Sequence, residues 1–279
     1  MKTKAPITQE NLKDFEKWLR RKDFSDHTIS SYTWTMNYFK KNYGVVNSDN
    51  VIDYKNYLMD NCKLGTVNLR LRAIHSYCDF SKDRDTVIKY VKNQRKPFID
   101  HVVSNADYKY LKMRLKRDKE YKWYYIFWFM SATGARVSEV VRVKAENVYD
   151  GYMDLYSKGQ KLRRIYIPVH LQKELLDYIN KEKIGRGSFL WLNKNGETLD
   201  VGGIEKMCKV FAEKYGLDPD DIYPHSFRHR FAMNFLEASN NDIVTLADLL
   251  GHSSIETTRI YLRKTAQEQR NMVNKLVNW

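Results

Sequence analysis

Residues 249–263 read LLGHSSIETTRIYLR. A glycine at position 251 would end one helix just before His252, and Tyr261 follows nine residues after that histidine. One of 20 tyrosines is no evidence by itself. Its weight comes from the residues that stand upstream.

The string PHSFRH (224–229) places His225 and Arg228 three apart, on one face of a helix that starts at Pro224. The i, i+4 pair His225 and His229 has a spacing used for metals. It lacks both a glutamate base between the two and a third ligand nearby, so no metal site is expected. Further upstream, TGARVSEV (133–140) sets a glycine break before Arg136 and puts Glu139 one helical turn later. Between YMDLYS (152–157) and LRRIYIP (162–168), two β-type runs, Lys158-Gly159-Gln160-Lys161 reads as a hairpin turn.

Each feature alone has a plain explanation, such as a surface ion pair or an exposed turn lysine. Together they fit phosphodiester chemistry. Arg136 and Arg228 can fork onto the non-bridging oxygens of a phosphate and stabilise the added charge of a pentacoordinate transition state. A tyrosine hydroxyl is a poor nucleophile at neutral pH unless a neighbour takes its proton or cations stabilise the phenolate. His225 and His252 could meet that need, and a lysine on a hairpin could protonate the departing sugar oxygen. The sequence holds neither a Walker-type loop nor a carboxylate cluster for magnesium, so no cofactor is expected.

The ordered set Arg136, Lys158, His225-x-x-Arg228, Gly251-His252 and Tyr261 resembles the signature of the tyrosine recombinase (phage integrase) family. The strings TGARVSEV, HSFRH and LLGHSSIETTRIYLR are similar to its motifs, strongly over about residues 101–265. Arg230 and Arg263 depart from the pattern, standing where members often carry a small residue and a histidine. The resemblance implies a C-shaped clamp on duplex DNA and a mostly helical catalytic domain with a small antiparallel sheet. It implies that Arg136 and Arg228 bind the scissile phosphate, Lys158 is the general acid, His225 assists proton transfer and His252 bonds the phosphate. Tyr261 would form a 3′-phosphotyrosyl bond that allows strand exchange without ATP, and Glu139 would orient the site from behind. Two rivals share parts of this reading: a DNA-binding protein without catalysis, and a type IB topoisomerase-like nicking-closing enzyme.

The remaining sequence agrees with two basic domains. Among 279 residues, Lys and Arg exceed Asp and Glu to give a net charge of +14, and both sides of Lys96 are basic. Such a balance favours polyanionic partners. Residues 8–22 put Leu12, Phe15, Trp18 and Leu19 on one helical face, and 27–43 put Ile29, Tyr32, Met36, Phe39 and Tyr43 on another. A third helix is expected after Ser48, with Val51, Ile52 and Leu58. A fourth is expected after a Gly65–Thr66 break, with Val67, Leu71, Ile74 and Cys78 inward. Arg70, Arg72 and His75 lie largely off that stripe, as a solvated face or as phosphate contacts. By resemblance this part, 1–96, is a SAM-like core-binding domain, and the catalytic domain spans 97–279, after an aperiodic linker around Pro97.

Ser104 is a candidate cap for the next helix, and the apolar run Trp123–Met130 reads as a buried helix segment. That run is far short of the ~20 residues of a membrane span. The N-terminus has no signal-peptide pattern, and three scattered cysteines form no disulfide framework, so a cytoplasmic protein is expected. After Val169 helical periods return, interrupted by FLWL (189–192) and Gly202–Gly203.

The tail carries Met272, Val273, Leu276, Val277 and Trp279 as a short amphipathic helix that docks on its own domain or, by resemblance, on a neighbouring protomer of a DNA-bound homotetramer. The four-helix part begins so early that no separate N-terminal arm-binding domain is expected. The targets would then be paired inverted core half-sites in double-stranded DNA. A Xer-like resolvase, an invertase and a mobile-element integrase all fit, with room for an accessory DNA-bending protein or a partner recombinase.

Overall fold

A computed structural model describes residues 5–92, 101–156, 162–252, 254–262, 270 and 273–277. The chain divides into two compact units, Met1–Arg95 and Lys96–Trp279. The first contains helices α1 (Gln9–Arg21), α2 (Asp26–Tyr43), α3 (Ser48–Asn61) and α4 (Leu64–Ser81). Their starts follow from capping. The side chains of Thr8, Ser25 and Asn47 accept the first-turn N–H groups that α1, α2 and α3 leave unpaired. Gly44 ends α2 at a φ of 73°, a conformation that a side chain would oppose.

Leu12, Phe15, Leu19, Ile29, Met36, Phe39, Val67, Leu71 and Ile74 fill one core between these helices. Two expectations need correction. Gly65 and Thr66 lie inside the first turn of α4, where a glycine interrupts no hydrogen bond because the Thr66 and Val67 N–H groups bond to Lys63 O. Ile52 faces outward, and Tyr54 occupies the core position of α3 instead.

The second unit is also mostly helical. Ser104 caps α5 (Asn105–Arg117). It is followed by α6 (Tyr121–Thr133), the short α7 (Val137–Val140) and α8 (Ala145–Asp150). The aromatic run lies on α6, with Trp123, Phe127 and Phe129 buried. Strands β1 (Tyr152–Tyr156) and β2 (Leu162–Tyr166) form an antiparallel pair with Asp154 opposite Arg164. Two parallel hydrogen bonds of 2.7 Å between those side chains fix the register.

After the pair come α9 (Val169–Lys181), α10 (Val201–Tyr215), α11 (Pro224–Ala238), α12 (Ile243–Leu250) and α13 (Ile255–Thr258). A single 3-10 turn, Arg259–Leu262, then holds Tyr261. The FLWL segment carries the fully buried Trp191 between α9 and α10. The glycines 202 and 203 do not interrupt a helix: they sit in the first turn of α10, where Asp200 accepts the Gly203 N–H. Ser226 anchors the start of α11 by accepting the Val103 N–H at 2.7 Å. No helix among the described residues is long and apolar enough to cross a membrane.

Candidate active site

Pro224 occupies the first position of α11, where its missing N–H costs nothing. One turn later the same helix delivers Arg228 into the interior, where it is 2% exposed. Its guanidinium donates to Gly134 O at 2.6 Å and to Leu250 O at 2.7 Å. These carbonyls belong to the C-terminal ends of α6 and α12, which Gly134 and Gly251 close in the left-handed conformation. Helix C-termini present unpaired carbonyls and a partial negative charge. One cation therefore satisfies two of them, and burial compensated in this way still pushes Arg228 down to about 10.

Arg136 precedes α7, and its carbonyl accepts the first bonds of that helix. Glu139 accepts the Arg136 backbone N–H at 2.7 Å and its guanidinium at 2.9 Å. Arg136 also reaches Gly251 O at 3.3 Å, one residue from the carbonyl that Arg228 holds. The two arginines thus meet at the same bend. Glu139 is 8% exposed and is shared with Arg163 of β2, which also donates to Leu249 O at 3.0 Å. Burial alone would push the Glu139 carboxyl up, but Arg163 and then Arg136 outweigh it and hold it below the ordinary carboxylate value. Gly251 has a φ of 62°, and a Cβ there would collide with the Arg163 side chain.

His252 has both ring nitrogens engaged. Arg228 donates to Nε2 at 3.0 Å, so Nδ1 carries the proton of the neutral ring and donates to Thr258 Oγ1 at 2.8 Å. Burial and the neighbouring Arg228, Arg136 and Arg163 push His252 down to about 4. Its ring stacks on that of Tyr261 at 6.4 Å and 10°. Tyr261 is 7% exposed; burial raises its phenol, while Arg228 opposes the rise. The Tyr261 hydroxyl lies 3.1 Å from Nδ1 of His229. His229 is pushed down to about 4 by burial and by the charges of His225 and Arg228. His225 is exposed at the start of α11, its ring 6.2 Å from that of His229. Partial desolvation and the two arginines lower its pKa.

The structure thus gathers Arg136, Glu139, Arg228, His252 and Tyr261, with His225 at the edge. Lys158 lies outside the described residues, as does Arg263. Arg230 turns inward, stacking on Tyr108 and donating to Ser131 at 2.6 Å. Arg70, Arg72 and His75 belong to the other unit. Arg70 is partly covered rather than fully solvated, donating to Thr35 at 2.8 Å and lying over the Trp34 ring, whereas Arg72 and His75 are exposed.

Two residues escaped the sequence reading. His229 enters the sequence reading only through its metal-type spacing with His225, although that i, i+4 relation also puts both on one face. Arg163 alternates with Ile165 and Ile167, both buried, so the strand period pointed it inward.

In chemical terms, an anion received by Arg136 and Arg228 would meet a buried phenol that already touches an imidazole. Comparison with known proteins gives this arrangement a family. The model of the Phage integrase family matches residues 99–268. The chain belongs to that family. This integrase-family chain is 27% identical over 277 residues to tyrosine recombinase XerA of Pyrococcus furiosus, covering 96% of this chain and 94% of that protein. It is 33% identical to tyrosine recombinase XerC of Neisseria gonorrhoeae over 141 residues, a match to 50% of this chain and 46% of that protein.

Among solved structures, the Tn1549 transposon integrase in complex with transposon right end DNA aligns with a TM-score of 0.72 at 17% identity, covering 95% of this chain and 99% of that one. XerH bound to its difH substrate aligns with a TM-score of 0.67 at 14% identity, covering 98% and 90%. These likenesses show a shared fold.

Proposed function

We propose that this chain, a tyrosine-type site-specific DNA recombinase of Xer-like kind, cuts and rejoins duplex DNA through Tyr261. One observation carries the reading: Tyr261 is sequestered, its phenol beside Arg228 and its ring stacked on that of His252, with Arg136 at the same bend. Arg136 and Arg228 bind the scissile phosphate, and His252 bonds it once Arg228 turns toward the anion. Attack by Tyr261 leaves a 3′-phosphotyrosyl bond, and Lys158 protonates the 5′ oxygen. Glu139 holds Arg136 in place, and His225 at the rim assists proton transfer. Conserving the energy of the broken linkage in the protein–DNA ester lets the strands be resealed without an external energy source.

Residues 1–96 act as the core-binding domain and 97–279 as the catalytic domain, clamping the duplex. Exposed Arg72 and His75 on α4 meet its backbone, with Arg70 behind them. The DNA carries paired inverted half-sites, on which four copies assemble through the C-terminal tail. A bending protein or partner recombinase is compatible with this assembly, as are a mobile-element role and a cytoplasmic location.

The test uses nicked duplex fragments of the DNA flanking the chain's own gene, denatured after incubation. Wild type should form a protein–DNA adduct and Tyr261→Phe none. Tight binding by wild type without any adduct would favour a binding-only protein. Relaxation of plasmids lacking a defined site would favour a nicking-closing enzyme.

A further inference from the structure

Tyr261 must lose a proton as its oxygen bonds to phosphorus, and its surroundings restrict where that proton can go. His252 donates from Nδ1 to Thr258 and receives Arg228 at Nε2, so neither nitrogen is open to the phenol. Glu139 is engaged by Arg136 and Arg163. Bulk water has little access to a residue that is 7% exposed. Nδ1 of His229 lies 3.1 Å from the hydroxyl, a hydrogen-bond distance. Among the described residues it is the imidazole nitrogen bonded to that oxygen.

We propose that His229 is a catalytic residue, the base that accepts the Tyr261 proton during strand cleavage and returns it during resealing. The inference rests on the reading of Tyr261 as the nucleophile. In cleavage the Tyr261 O–P bond forms, the P–O5′ bond breaks, and the phenolic proton moves to His229 Nδ1. The departing oxygen takes a proton from the general acid, the role assigned above to Lys158. Resealing reverses each transfer, so the protein ends in its starting protonation state.

The environment suits a base that works only on DNA. In the free protein burial, His225 and Arg228 keep the imidazole neutral and too weak a base to deprotonate the phenol. A phosphate beside Arg228 offsets part of the positive field, raising the basicity of His229 at the moment the nucleophile is needed. Tyr261 meanwhile gains phenolate stabilisation from the same guanidinium.

The experiment compares single-turnover adduct formation by wild type, His229→Asn, His229→Ala and Lys158→Ala on nicked duplexes. Ordinary substrate is set beside one with sulfur in place of the 5′ bridging oxygen, whose thiolate leaves without a proton. Asparagine can keep a hydrogen bond to the phenol but is not a base. Both His229 variants should bind DNA with wild-type affinity and cleave about a hundredfold slower or worse, within the usual range for general-base loss. Sulfur should rescue Lys158→Ala and neither His229 variant. Wild-type rates for His229→Asn would reduce His229 to a positioning role and overturn the proposal, as would rescue of either His229 variant by sulfur. Absence of an adduct with wild type, or its persistence with Tyr261→Phe, would instead overturn the reading of Tyr261 beneath it.

Discussion

Arg228 holds two helix ends together with one side chain, so the charge that receives a phosphate is also part of the packing. That economy has a cost in acid. His229 and His252 are both pushed down to about 4 from an ordinary 6.5. Between those values the unfolded chain binds more protons than the folded one, so unfolding takes protons up. The contribution of these two rings to stability is fully present only above the unfolded value of 6.5 and is lost as the pH falls toward 4. Thermal melts should show Tm dropping across that interval, and His229→Asn should flatten part of the drop. A wild-type Tm that is level over the interval would contradict the half-buried, neutral state of both rings.

Helix ends decide which glycines matter. Gly251 closes α12 at positive φ against Arg163, whereas Gly65 has open space around its Cα and an ordinary helical setting. Gly251→Ala should lose about 1–2 kcal/mol from the left-handed backbone alone. It should also weaken cleavage, because the Arg163 side chain that braces Glu139 behind Arg136 must shift. Gly65→Ala should be neutral or stabilising by up to about 1 kcal/mol. Melts and adduct assays on the two variants test the contrast.

The same distinction explains what the sequence made legible. Periodicity and caps located α1 and α2, because both are local. The glycines at 65 and 202–203 misled, since a glycine in a first turn and one beyond a last turn look alike in one dimension. Arg136, His225, Arg228, His252 and Tyr261 stood out as a motif. His229 and Arg163 did not, because their partners lie 32 and 24 residues away and only the fold brings them near.

The excess of positive charge spreads over both units, while the exposed apolar residues Val273, Leu276 and Val277 gather at the C-terminal end. If the tail joins one protomer to the next, deleting 267–279 should spare single-site adduct formation and abolish exchange between paired sites. Exchange at the wild-type rate after the deletion would rule the linkage out.

Within the second unit, Arg136, Arg163 and Arg228 lie near one carboxylate among the described residues, Glu139, and Arg228 feels net repulsion from the other two arginines. Such a cluster draws in small oxyanions and is stabilised by whatever occupies it. A storage buffer rich in sulfate or phosphate will therefore preserve the purified protein while competing with the first DNA it meets.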